Sequence, residues 1–190
     1  AVAVAAALLA PSGSASAAGA VGEASSRVAG PQAVESVESV DFLGTFTIHN
    51  SASGMCVDVA NGGTTDKTPI VLWPCNGSNS QRWSFFLDTV ERNWVIQAFA
   101  GLGNVCFSTG DSDHTWIYGC NGGDHQRWVP NPNLLQGALQ VISADRIGGC
   151  LVPKDNILTA GQALQVKSGI CTDIGLPNPS DPKLFTLSPA

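Results

Sequence analysis

The chain is poor in charge, in sulfur-rich motifs and in long apolar runs. Of its 190 residues only 13% are charged, with 9 Lys+Arg against 15 Asp+Glu and a formal net charge of −6. No basic stripe is present that could displace counterions from a phosphate backbone, so nucleic acid is not an expected partner. The longest unbroken apolar run, Ala1 to Ala10, covers ten residues, about half of the ~20 that a membrane-spanning helix needs. The sequence has no C-x-x-C pair, and His49, His114 and His125 are scattered, which leaves zinc without support; no metal and no cofactor is expected. G-x-S-x-G, H-E-x-x-H, a P-loop and a dinucleotide fingerprint are all missing. Asp58 and Asp66 stand close enough in sequence to share a loop, but spacing alone does not make a hydrolytic carboxylate pair. The chain is not expected to be an enzyme. A sustained helical period is lacking too.

What is present starts with a hydrophobic content of 44%, enough for a globular core. Residues 1–20 read AVAVAAALLAPSGSASAAGA, an uncharged apolar stretch followed by small residues. This fits the end of a secretory signal with small-x-small cleavage sites at Ala15-Ser16-Ala17 or Ala18-Gly19-Ala20; a flexible Ala-rich tail is the plainer alternative. Residues 21–40, small, polar and mildly acidic, read as a flexible linker. The expectation is a secreted, extracellular protein with no membrane insertion once the leader is removed. In an oxidising compartment the even count of 6 cysteines favours three disulfides over free thiols.

From Asp41 onward the texture changes to short runs such as FTIHN, MCVDV, PIVLW, NWVIQAF and TWIYG, separated by Gly, Asn, Asp and Pro. Many short strands at near-regular spacing indicate an all-β domain over 41–190. Self-comparison shows more. Cys75-Asn76-Gly77-Ser78-Asn79-Ser80-Gln81-Arg82-Trp83 recurs 45 residues later as Cys120-Asn121-Gly122-Gly123-Asp124-His125-Gln126-Arg127-Trp128, with six of nine positions identical. Each copy has an upstream cysteine, Cys56 or Cys106, and an aromatic residue two before the second cysteine, Trp73 or Tyr118. A third, eroded copy uses Cys150 and Cys171, with Lys183-Leu184-Phe185 standing in for Gln-Arg-Trp after an insertion around Asp173 to Asp181.

The three units span about 41–90, 91–134 and 135–190. A unit of four short strands cannot bury its apolar face alone, so the three must share a core. Trp83, Trp128 and Phe185 are the candidate wedges at its centre. Six cysteines allow fifteen pairings, and the repeat selects Cys56 with Cys75, Cys106 with Cys120, and Cys150 with Cys171.

The cysteine pair followed by Q-x-W, in two intact copies and one eroded copy, resembles the ricin B-chain-type lectin family. The resemblance covers about 150 residues, essentially everything after the linker. It implies a β-trefoil of three pseudo-symmetric repeats with one disulfide each, and a carbohydrate-binding module with up to three sugar sites, found alone or attached to secreted enzymes and toxins. In texture the chain is closest to secreted bacterial members. The implied partner is a carbohydrate, glycan or polysaccharide, and the chain is expected to be monomeric.

A shallow sugar site needs an aromatic face for the pyranose C–H surface, a carboxylate for paired hydroxyls, and amides. Cys56-Val57-Asp58 matches the family's C-x-D segment, which makes Asp58 the candidate acceptor, Trp73 the stacking platform, and Gln81 and Asn76 the amide partners. Plainer readings stay open for each. Asp58 suits a turn carboxylate, Trp73 ordinary core, Gln81 a structural role like its twin Gln126, and Asn76-Gly77 a turn; Asn76-Gly77-Ser78 is also a glycosylation sequon. Ser80 replaces the Asn that commonly precedes the Gln of Q-x-W, and Val71 takes a place often held by a polar residue. The second repeat has Ser108 in place of Asp58, with Asp111 and Asp113 further along the loop, and the third offers Val152 and Gly169, so one site is expected. The alternatives to a single-site lectin are a protein-interaction scaffold that has lost sugar recognition, and a secreted hydrolase or toxin component. The cysteine pairing carries a direct check: thiol titration of the native protein is expected to find no reactive cysteine, and several reactive thiols would contradict it.

Overall fold

The structure, a computed structural model, describes residues 40–110, 113–130, 138–139, 141–143, 149–169, 178 and 180–190. The expected signal remnant (1–20) and linker (21–40) lie outside these, save Val40, which opens the first strand.

Strand follows strand with short turns between. The first repeat supplies β1 (Val40–Asn50), β2 (Cys56–Val59), β3 (Ile70–Trp73) and β4 (Trp83–Asp88). The second supplies β5 (Asn93–Gln97), β6 (Val105–Thr109), β7 (Thr115–Gly119) and β8 (Trp128–Pro130). The third supplies β9 (Ala138–Leu139) and β10 (Val141–Ser143), which flank residue 140, then β11 (Gly149–Pro153), β12 (Leu164–Ser168) and β13 (Phe185–Pro189). Among the described residues, helix is confined to three-residue 3-10 turns. Val, Ile, Phe and Trp dominate the strands, as suits a pleated surface buried on one side, and the Gly-, Asn- and Pro-rich segments cut each strand short.

The antiparallel pairs β1–β4, β4–β5, β5–β8, β8–β10, β9–β13 and β13–β1 run round to their starting point. These pairs trace a barrel in which β9 and β10, on either side of residue 140, take the sixth strand position. Its pseudo-threefold is visible in the register: Phe46 faces Trp83, Trp94 faces Trp128, and Leu139 faces Phe185. Phe185 therefore holds the wedge position of the third repeat. The hairpins β2–β3, β6–β7 and β11–β12 cap the barrel, each joined to it where a barrel residue faces a cysteine: His49 with Cys56, Gln97 with Cys106, and Ile142 with Cys150. This is a β-trefoil.

The cap interlocks cyclically. The Leu72 N–H donates to Gln162 O at 2.8 Å, the Ile117 N–H to Thr68 O at 3.0 Å, and the Val166 N–H to Asp113 O at 2.7 Å, so each hairpin is bonded to the turn of another repeat. Disulfides join Cys56 to Cys75 and Cys106 to Cys120. Cys150 is disulfide-bonded as well, while its expected partner Cys171 lies outside the described residues.

At the centre Trp83, Phe107 and Trp128 are fully buried, with Phe107 packed between the two indoles at ring-centroid distances of 5.2 and 4.6 Å. The Trp83 indole N–H donates to Val57 O at 3.0 Å and that of Trp128 to Phe107 O at 2.9 Å, so each wedge is pinned to the hairpin of its own repeat. Trp83→Ala should lose about 3–5 kcal/mol of stability as a large core truncation. Trp83→Phe, which copies Phe185, should cost less and should leave the Val57 carbonyl without its donor; denaturant unfolding of both variants checks the order.

Candidate functional site

The register of β2–β3 sets Cys56 opposite Trp73 and Asp58 opposite Val71. Asp58 and Trp73 consequently approach one cleft of about 480 Å³, which Asn76 also lines. Ala60, Asn61, Gly62, Val71, Ser78 and Ser80 complete its first-repeat walls, and Gly161 closes it from the third repeat. Trp73 is 44% exposed, far more than a core tryptophan, whereas Asp58 is 6% exposed at the base. The Cys56–Cys75 disulfide lies two residues before Asp58 and between Trp73 and Asn76, so it clamps both halves of the site.

Gln81 is not in the cleft. Its side chain has no exposed surface: the Nε2 group donates to Asp58 Oδ2 at 2.7 Å and to Pro74 O at 3.0 Å, and Oε1 accepts the Asn76 N–H at 2.8 Å. One buried amide thus fixes the carboxylate from behind and anchors the loop after Trp73. Gln126 does the same for its own loop, taking the Asn121 N–H on Oε1 and donating to Gly119 O, both at 2.8 Å. Asn76 Oδ1 is occupied by the Ser78 N–H at 2.9 Å in a tight turn, and Asn121 repeats this with the Gly123 N–H.

Asp58, one oxygen of which is held by Gln81, lines a cleft that contains an exposed indole and small polar groups. That arrangement can accept hydroxyl hydrogens and stack an apolar ring face. Asp66, the other carboxylate weighed from the sequence, is not among the cleft residues; its Oδ1 accepts the Gly119 N–H at 2.8 Å. His49 Nδ1 stands 3.6 and 3.5 Å from the sulfurs of Cys56 and Cys75, but sulfurs bonded to each other offer no thiolate to a metal.

Comparison with known proteins shows the family. The profile of the ricin-type β-trefoil lectin domain matches residues 44–173. The chain belongs to that family. Nigrin b from Sambucus nigra is 30% identical over 125 residues, 62% of this chain and 21% of its own length, so the chain spans about a fifth of that relative. Among solved structures, a Macrolepiota procera ricin B-like lectin in complex with lactose superposes with a TM-score of 0.55 at 18% identity, over 77% of this chain and 95% of that one. An exo-β-1,3-galactanase from Clostridium thermocellum superposes at 0.64 and 21% identity, over 78% of this chain and 30% of that one.

The other two repeats of this lectin domain are built differently. In the second, Cys106 faces Tyr118 and Ser108 faces Trp116, which puts Trp116 where the first repeat has Val71. The indole lies directly on Gly110, the counterpart of Ala60: a Cβ there would stand 2.1 Å from Trp116 Cη2, so the ring covers ground that is open in the first repeat. Asp111 lies outside the described residues. In the third repeat the register overturns the expected equivalence of Gly169. Cys150 faces Lys167, so Lys167 occupies the Trp73 position, and the segment from there to Cys171 is two residues longer than in the first repeat. Val152 stands in the Asp58 position, fully apolar.

The family's pattern nominated Asp58, Trp73 and Asn76, which line the cleft, and noted Ser80 only as a departure, but it did not nominate Ser78 and Ser80 as wall residues, whose hydroxyls pair at 2.8 Å, nor Gly161. The serines lie inside the duplicated motif and were legible as polar neighbours. Gly161 carries no local signal. Gln81→Ala should destabilise the domain by about 1–3 kcal/mol, because the Asn76 N–H and Pro74 carbonyl lose their partner. Urea unfolding of the variant checks this, and unchanged stability would contradict the clamp.

Proposed function

We propose that the domain is a carbohydrate-binding module with a single working sugar site in its first repeat, and that it acts without catalysis. In this reading the exposed face of Trp73 takes the apolar side of a pyranose ring, Asp58 accepts two of its hydroxyl hydrogens, and Asn76 offers an amide N–H. Gln81 is a positioning residue that holds Asp58 without touching the ligand. The observation that carries the reading is the convergence of a 44% exposed Trp73 and a Gln81-braced Asp58 on one cleft of about 480 Å³.

Membership in a lectin family supports carbohydrate as the ligand, and the lactose in the Macrolepiota procera complex shows what one protein of this fold holds. The galactanase, of which this chain covers only 30%, makes attachment to a longer enzyme a compatible context. Among the described residues no helix is long and apolar enough to cross a membrane, and an export signal in residues 1–20 would place the module outside the cell. A lone shallow site has no avidity to draw on, and a single sugar should bind with a Kd of about 0.1–10 mM.

A second reading has its own support. Among the described residues, Trp116 over Gly110 and Val152 in the Asp58 position take away the open ground and the carboxylate that the first repeat has, which suits a scaffold for protein contacts. A glycan and polysaccharide screen with the wild-type chain and Asp58→Ala separates the two. Binding lost in Asp58→Ala at unchanged melting temperature is the expected result; no binding by the wild type transfers the weight to the scaffold.

A further inference from the structure

The first repeat does not bound its cleft alone. The far wall is Gly161, from the turn between β11 and β12 of the third repeat. This turn is fixed against β3: the Gly161 N–H donates to Leu72 O at 2.8 Å, Gln162 O accepts the Leu72 N–H at 2.8 Å, and Ala163 bridges Val71. The third repeat therefore supplies part of the first repeat's site while lacking the residues for one of its own.

The pseudo-threefold shows what another residue would do at this position. Lys67 is the counterpart of Gly161, since its N–H donates to Ile117 O at 2.8 Å, just as the Gly161 N–H does to Leu72 O. Both backbones are left-handed, with φ of 66° at Lys67 and 82° at Gly161, so this turn accepts a residue with a side chain. Lys67 uses its side chain to cover an aromatic ring of the next hairpin, with Nζ 5.9 Å from the Trp116 ring centroid. At position 161 a Cβ would already stand 3.7 Å from Trp73 Cζ3. Glycine leaves this edge of the Trp73 indole bare, in the direction of the third repeat.

Two further features describe what would fill the opening. The cleft volume of about 480 Å³ falls in the ~300–1,000 Å³ range of small-molecule sites, and its lining runs from Asp58 and Trp73 across to Gly161. Asp58 is also the one charged side chain among the cleft residues, so an anionic sugar would meet a carboxylate with no cation to offset it. We infer that the ligand is an uncharged oligosaccharide of at least two rings, one on Trp73 and Asp58 and the next crossing Gly161, and that Gly161 is a specificity-determining residue supplied by the third repeat. This rests on the carbohydrate reading above and narrows it.

The test measures binding of the full chain to a panel of paired probes: galactose with lactose, xylose with xylotriose, glucose with laminaritriose, and trigalacturonate as the anionic member. Wild type, Asp58→Ala and Gly161→Lys are compared, with melting temperatures as the fold control. The expected result is that one uncharged oligosaccharide binds about tenfold or more tighter than its monosaccharide, and that Gly161→Lys removes this advantage. Asp58→Ala should lose both. Should Gly161→Lys fail to fold, Gly161→Asn, which takes left-handed backbone readily, is read instead and should lose a smaller part of the advantage. Equal binding of oligosaccharide and monosaccharide, undiminished oligosaccharide binding by the folded position-161 variant, or preference for trigalacturonate overturns the inference while the carbohydrate reading stands. Binding of no probe by the wild type overturns both.

Discussion

The segment Gln81-Arg82-Trp83 places two side chains inward, and through them the barrel and the candidate site become one object. Trp83 fills the centre against Phe107 and ties its indole N–H to the carbonyl of Val57. The next residue along that strand is Asp58, whose carboxylate is held by Gln81. Core packing and site geometry are therefore fixed by the same short segment, and the extended Arg82 between the 3-10 turn that ends at Gln81 and the strand that begins at Trp83 explains why the spacing is Q-x-W rather than Q-W. A change that loosens the wedge reaches the carboxylate through a single residue of backbone.

Symmetry makes this arrangement instructive, because the second repeat keeps the scaffold and discards the site. Gln126 and Trp128 hold their loop and strand as Gln81 and Trp83 do. Yet Ser108 replaces the carboxylate, and Trp116 lies where the first repeat has open space beside Val71 and Ala60. The Q-x-W pattern thus serves the scaffold in the first two repeats, while the third keeps the wedge as Phe185 without the Gln, and the proposed binding capacity rests on other positions: those of Asp58, Val71 and Trp73, and Gly161 across the cap. The small Val71 now has a physical account, since a large residue there would lie over the cleft as Trp116 does.

Much of this was legible in the sequence because the repeat is nearly exact where the fold demands it. The copies around Trp83 and Trp128, each behind a cysteine pair, showed the duplication, and the trefoil, with Asp58 and Trp73 as site candidates, followed from the resemblance to the ricin B-type family through its C-x-D segment and the aromatic two before the second cysteine. Counting from cysteines failed in the third repeat, where extra residues after the strand shift the alignment and Lys167, not Gly169, faces Cys150. Gln81 was legible as important but not as buried; only its bonds to Asp58, Pro74 and Asn76 show which way it points. Gly161 was beyond reach, since it joins Trp73 only through the cyclic interlock of hairpins almost ninety residues apart.

The central claim is that ligand is bound at one cleft, on Trp73, and nowhere else on the pseudo-threefold. Its most direct test is a sugar titration followed by the side-chain N–H resonances of the 5 tryptophans in an ¹⁵N-labelled sample, assigned by single substitutions. The account predicts that the Trp73 indole signal moves in a saturable way while those of Trp83, Trp128 and Trp116 stay in place. A saturable shift at Trp116 with Trp73 unmoved would contradict it.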